Sequence, residues 1–115
     1  FSGAKVVSPE CGFSHRAFYG SLHRLMGADA VVFPNFGGRF GFTREECRSI
    51  AEACSTGTGG PKASAPTPGG GVNFARVPDM RAVYGKDVMY LVGGALLQEP
   101  NLVDGCRRLA EAVYA

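Results

Sequence analysis

Apolar positions recur with two periods along the chain, and the alternation between them predicts the architecture. Phe18, Leu22, Leu25 and Met26 repeat at helical spacing behind Ser14, which can cap a helix over 15–26 that Gly27 ends. A short continuous apolar run follows, Ala30 to Phe33, closed by Pro34; such a run suits a strand buried on both faces of a parallel sheet. Thr43 and Glu46 have capping-box spacing for a second helix, with Cys47, Ile50, Ala51 and Cys54 on one face. A second strand is expected over 63–67, before Gly69-Gly70-Gly71. Pro78 then opens a third helix that reaches Tyr84 and stops at Gly85, and the apolar run 88–92 gives a third strand before Gly93-Gly94. The last helix, over 102–114, is capped by Asn101 and turns Leu102, Cys106, Leu109 and Val113 inward. At the start, 1–7 reads as the end of a strand stopped by Ser8-Pro9-Glu10, and 55–60 as a Gly/Ser/Thr-rich connection.

Strand and helix thus alternate about three and a half times within one unit, 1–115, with no linker or internal repeat beyond this rhythm. Such alternation implies parallel strands with right-handed crossovers, in a barrel or a doubly wound sheet. A length of 115 residues makes about half of an eight-stranded α/β barrel. The chain opens on Phe1 with neither an initiator Met nor a polar lead-in, and reads as a piece of something longer.

Charge and cysteine content narrow the function classes. Twelve basic and ten acidic residues are spread evenly, so no nucleic-acid or anionic-membrane footprint is expected, while small anions remain possible ligands. No apolar run has the length of a membrane span, and a cytoplasmic location is the expectation. Cys11, Cys47, Cys54 and Cys106 lack any C-x-x-C pair and read as reduced and buried; neither they nor His15 and His23, placed on the first helix, have metal-site spacing.

Candidate chemistry collects in the loops after the strands. Gly69, Gly70 and Gly71 in one turn and Gly93 and Gly94 in another let backbone N–H groups approach an anion closely, as at a phosphate site, although ordinary strand-exit turns look the same. Arg39, flanked by Gly37-Gly38 in the loop 34–42, can swing over a site and hold an anionic substrate, or lie solvated. Asn35 stands just after a strand, where its amide can hold a carbonyl or hydroxyl or simply form a turn. Phe36, Phe40 and Phe42 can close the pocket or anchor the loop, and Lys62 and Lys86 lie at the opposite end of the strands. No clustered carboxylates offer a metal site or an acid/base pair.

The ordered segments Leu22-His23-Arg24-Leu25-Met26-Gly27-Ala28-Asp29, Phe33-Pro34-Asn35-Phe36-Gly37-Gly38-Arg39-Phe40, Pro66-Thr67-Pro68-Gly69-Gly70-Gly71 and Gly93-Gly94 resemble the RuBisCO-like proteins of the RuBisCO large-chain superfamily. The resemblance implies the C-terminal half of a (β/α)8 TIM barrel, from the end of strand five to helix eight, in an enzyme that is a homodimer when complete. It also implies Mg²⁺ held by a carbamylated Lys, an Asp and a Glu, all outside this chain, and enolisation of a phosphorylated small-molecule substrate. Arg39 takes the place of the loop-six lysine of the carboxylases, Val32 that of a substrate-binding histidine, and Gly69 that of a serine. These departures imply an enzyme that does not fix CO2. Gly70, Gly71, Gly93 and Gly94 match backbone phosphate contacts, which implies a monophosphate substrate. The 34–40 loop points within the family to a decarboxylase of an oxo-isoapionate-phosphate-like sugar acid. The alternatives are the diketo-methylthiopentyl-phosphate enolase of methionine salvage and a non-catalytic phosphate-binding module or inactive fragment.

Overall fold

A computed structural model describes residues 8, 10–55 and 60–115. The strand end read over 1–7, the Pro9 of the turn after it and residues 56–59 of the connection after the second helix lie outside the described residues. The core of the fold is a parallel strand pair, β1 (Ala30–Pro34) and β2 (Ala65–Gly69), in register from Ala30 opposite Ala65 to Pro34 opposite Gly69. Between them runs α2 (Arg44–Ser55), so the first unit is the expected strand, helix, parallel strand. The capping box closes as predicted: the Thr43 N–H donates to Glu46 Oε2 at 2.8 Å and the Glu46 N–H to Thr43 Oγ1 at 3.2 Å. Cys47, Ile50, Ala51 and Cys54 all face the core.

β1 is buried on one face only. Val31 and Phe33 are 2% exposed whereas Val32 is 59% exposed, because alternate side chains of a strand point to opposite sides and no described element covers the Val32 side. The expectation of a strand buried on both faces is corrected accordingly.

The third strand is only half made. Residues 88–92 run beside β2, with the Met89 N–H donating to the Pro66 carbonyl at 3.0 Å and a single parallel bridge from Gly69 to Leu91. Pro66 and Pro68 turn their carbonyls to this neighbour but have no N–H to donate back, so the ladder lacks half its bonds. Ala65 and Gly69 serve the β1 side instead, through Ala65 N–H to Asp29 O (2.7 Å) and Asn35 N–H to Gly69 O (2.8 Å).

The first helix differs from its prediction. It is a π-helix over Arg16–Leu22 that tightens into a single α-turn, α1 (His23–Leu25). Ser14 does cap it, accepting from the Ala17 N–H at 3.2 Å. Yet Leu22, Leu25 and Met26 are exposed, and the buried face carries Tyr19, Gly20 and Arg24 instead. Gly20 fixes this face: a Cβ there would stand 2.3 Å from Ala53 Cβ, so helix and α2 meet at their backbones. Arg24 holds the approach to β2, donating to the carbonyls of Pro61 (2.8 Å) and Lys62 (3.2 Å).

After β2, a 3₁₀ turn (Phe74–Arg76) leads into α3 (Val77–Tyr84), which Gly85 ends at φ 80°. A short helix not foreseen in the sequence, α4 (Gly94–Leu97), precedes α5 (Leu102–Tyr114), whose Asn101 cap forms as expected. The buried seam of α5 is rotated from the predicted one. Leu102 and Cys106 are exposed, Leu109 and Val113 are half-buried, and Gly105 is buried against Glu99. Arg108 sets this docking by pairing with Glu99 at 2.6 Å and lying over the Phe74 ring at 4.7 Å. Of the cysteines, Cys47 and Cys54 are buried while Cys11 and Cys106 are exposed, so uniform burial is also corrected; all four are free thiols. Lys62 and Lys86 are exposed as expected.

Candidate functional site

Parallel strands bring their C-terminal ends to one rim, and the loops after β1, after β2 and after 88–92 meet there. A mostly apolar cleft of about 640 Å³ opens between the first two, bordered by Val32, Asn35, Arg39, Phe40, Gly69, Gly70, Gly71 and Leu91. Gly70, Gly71 and Leu91 are shared with an adjoining cleft of about 520 Å³, whose far wall is Gly93, Gly94 and Gln98. The two glycine turns singled out in the sequence therefore face one another across one space, and Arg39 stands on the other side of the first turn.

Backbone geometry accounts for the glycines of the first turn. Gly70 and Gly71 adopt φ +97° and +67°, a region that side chains rarely enter. Gly69 ends β2 with ordinary φ, but a Cβ there would lie 2.8 Å from Leu91 Cδ2. Gly93 caps α4, and its carbonyl accepts from the N–H groups of Leu96 (2.9 Å) and Leu97 (3.2 Å).

Arg39 is exposed, with its guanidinium 4.7 Å above the centre of the Phe40 ring at the mouth of the cleft. Phe36 and Phe42 are buried and anchor the two ends of the loop, so only Phe40 remains at the opening. Asn35 borders the cleft, yet its side-chain amide is committed elsewhere: Oδ1 accepts from the Tyr84 hydroxyl at 2.7 Å and Nδ2 donates to Met80 Sδ at 3.4 Å. At 1% exposure this amide joins the loop to α3. Below it the Cys47 thiol reaches the Pro34 carbonyl at 3.5 Å, and burial raises both this thiol and the Tyr84 hydroxyl above their ordinary pKa, so both stay protonated.

Several residues of the rim had no sign in the sequence reading. Arg76 donates to the carbonyls of Phe36 and of Gly71, the latter at 3.0 Å, and lies 5.0 Å from the Phe36 ring centre. Arg44 covers Phe36 at 4.6 Å and pairs with Asp79 through both carboxylate oxygens, which holds that carboxyl below its usual range. Tyr19, also bordering the larger cleft, keeps its hydroxyl buried without a hydrogen-bond partner among the described residues. The contacts of Arg44 with Asp79 and of Arg76 with Phe36 join residues 35 and 40 positions apart, which local periodicity cannot reveal.

Among the described residues no three His, Cys, Asp or Glu side chains come together as a seat for Mg²⁺. No helix there is long and apolar enough to cross a membrane.

No family model matches the chain. It is 56% identical over 82 residues to the 5-methylthioribulose-1-phosphate isomerase of Rhodospirillum rubrum, a match covering 71% of this chain and 22% of that protein. It is 42% identical over 96 residues to ribulose bisphosphate carboxylase-like protein 1 of Rhodopseudomonas palustris, covering 84% and 24% respectively. With the 2,3-diketo-5-methylthiopentyl-1-phosphate enolase of Bacillus pumilus it shares 34% over 100 residues, covering 87% and 24%. Its fold superposes on the crystal structure of a rubisco-like protein (MtnW) from Alicyclobacillus acidocaldarius with a TM-score of 0.84 and 29% identity, over 99% of this chain and 29% of that one. The chain thus spans about a quarter of the length of the curated relatives it matches.

Proposed function

Because the chain belongs to the RuBisCO-like proteins, its open parallel array being part of their TIM barrel, we propose that the protein carrying it moves a proton on a phosphorylated keto sugar derivative. The substrate type is that named for the relatives, a methylthio-sugar phosphate, with 5-methylthioribulose 1-phosphate as the first choice. The observation that supports this most is the meeting of the two glycine turns across one space, beside a cleft that carries Arg39. Backbone N–H groups of Gly70, Gly71, Gly93 and Gly94 would hold the phosphate. The apolar walls of the larger cleft suit the methylthio end of the substrate.

In such a reaction a proton leaves the carbon beside a carbonyl and is returned at a neighbouring carbon, with negative charge resting on oxygen in between. Arg39 would meet that charge, its guanidinium reaching from the loop across the cleft mouth. Asn35 serves by holding the loop through Tyr84 rather than by touching substrate. The described residues do not gather into a metal site, and nothing in these roles is routed through one.

An enolase acting on 2,3-diketo-5-methylthiopentyl 1-phosphate is the second reading, favoured by relatives that carry that name. The names of the relatives thus support the enolase alternative better than the oxo-isoapionate-phosphate decarboxylase implied by the loop. The test is incubation of the complete protein with each phosphate ester in deuterated water. Deuterium entering 5-methylthioribulose 1-phosphate or its product supports the first reading, and entry only into the diketo ester supports the second. With wild-type exchange established, Arg39→Ala should lower it about 100-fold; an unchanged rate would remove Arg39 from the chemistry.

A further inference from the structure

Two of the rim glycines share a neighbour that explains them both. Gly37 and Gly71 lie on different loops, adopt φ +66° and +67°, and would each place a Cβ against the same guanidinium, at 3.0 Å and 2.9 Å from Arg76 nitrogens. That guanidinium donates to the Phe36 carbonyl with Nη2 and to the Gly71 carbonyl with Nη1, so one rigid fork joins the loop 34–42 to the turn after β2. Its own seat is fixed. The Arg76 N–H donates to Asn73 Oδ1 at 3.2 Å, and the Phe36 ring centre is 5.0 Å from the Arg76 guanidinium and 4.6 Å from that of Arg44, whose charge is balanced by Asp79.

We propose that Arg76 is a positioning residue that sets the distance and orientation between the Arg39 loop and the phosphate-binding turn. A trans peptide points its N–H opposite to its C=O, so drawing the carbonyls of Phe36 and Gly71 to one cation also fixes where the following N–H groups, of Gly37 and Val72, are aimed. Arg39 follows Phe36 by three residues, and Gly70 and Gly71 border both clefts, so the fork ties the group that meets substrate charge to the groups that hold phosphate. A lysine keeps the charge but cannot present two coplanar donors to two carbonyls. The role rests on the proposed phosphate-ester chemistry, whereas the clamp itself stands on the geometry.

The test uses the complete protein that carries this chain, with Arg76→Ala and Arg76→Lys beside wild type. Steady-state kinetics on 5-methylthioribulose 1-phosphate should show KM rising between about tenfold and 100-fold in both variants, and added guanidinium ion should recover part of the loss in Arg76→Ala. Amide hydrogen exchange should quicken together at 36–42 and 69–72 while α2 keeps its protection. Exchange that changes in one loop alone or in neither, or an unchanged KM, would overturn the assignment. If Arg76→Ala does not fold, Arg76→Lys carries both readouts. A wild-type protein with no turnover of this ester would defeat the functional reading, and the paired exchange would still decide the clamp.

Discussion

Asn35 shows how a residue at the rim of a cleft can be committed to its neighbours. Its amide accepts from Tyr84 and donates to Met80 at almost no exposure, so Asn35→Ala takes away the acceptor of the buried Tyr84 hydroxyl's 2.7 Å hydrogen bond. The expected cost is about 1–3 kcal/mol in urea unfolding, with Tyr84→Phe costing less and the double variant less than the sum of the two. Strict additivity would mean the bond contributes nothing of its own. The buried Cys54 thiol makes a second prediction at this scale. Burial pushes it to about 11 from 9.0, so below pH 9 it is neutral both folded and unfolded. Between those values the unfolded chain gives up the proton first, and stability falls as pH rises. Urea midpoints taken at pH 8 and at pH 10.5 should therefore drop less in Cys54→Ala than in wild type. A drop of equal size in both would place the alkaline loss elsewhere, the raised Tyr84 hydroxyl being the next group to examine.

At the scale of elements, the meeting of the π-helix and α2 depends on one missing side chain. Gly20→Ala puts a methyl 2.3 Å from Ala53 Cβ and 3.1 Å from the Ile50 carbonyl, so the helices must part. Overpacking of this kind costs about 1–3 kcal/mol, and Gly20→Ala with Ala53→Gly should recover part of it in thermal unfolding; no recovery would show that the strain lies within the helix itself. Local signals were legible where the partner is near in sequence: the Thr43–Glu46 box, the Asn101 cap and the Gly85 stop form as read. Helix faces were legible only where this chain supplies what they pack against, as for Cys47 and Ile50 on α2. The rotated seam of α5 and the exposed Leu25 and Met26 follow from docking that no periodicity encodes. The incomplete third strand was readable in principle, since prolines at 66 and 68 leave one side of β2 without donors. The site divides the same way. Turn glycines announce themselves, while the Arg76 fork reaches a carbonyl 40 positions away.

Across the whole molecule, large apolar side chains are left in water both on the strand layer and near the C-terminal helices. Val32 and Leu91, 59% and 49% exposed, border the cleft within the strand layer, and Leu97, Leu102 and Val103 line the other end of the chain's path. A sheet of two strands and a half-made third also keeps an open edge on β1 among the described residues. Solved relatives more than three times as long share this fold over 94% and 99% of the chain, so the rest of such a barrel is the natural cover for these faces. Prepared alone, residues 1–115 should self-associate, with sedimentation coefficients that rise with concentration and binding of an apolar dye such as ANS. Adding the remaining barrel portion as a separate chain should suppress both. A dye-silent monomer that unfolds in one cooperative step would mean that the helices close over the strand layer well enough to fold unaided. The clefts at the rim would then be properties of this unit alone, and phosphate binding could be measured on it directly.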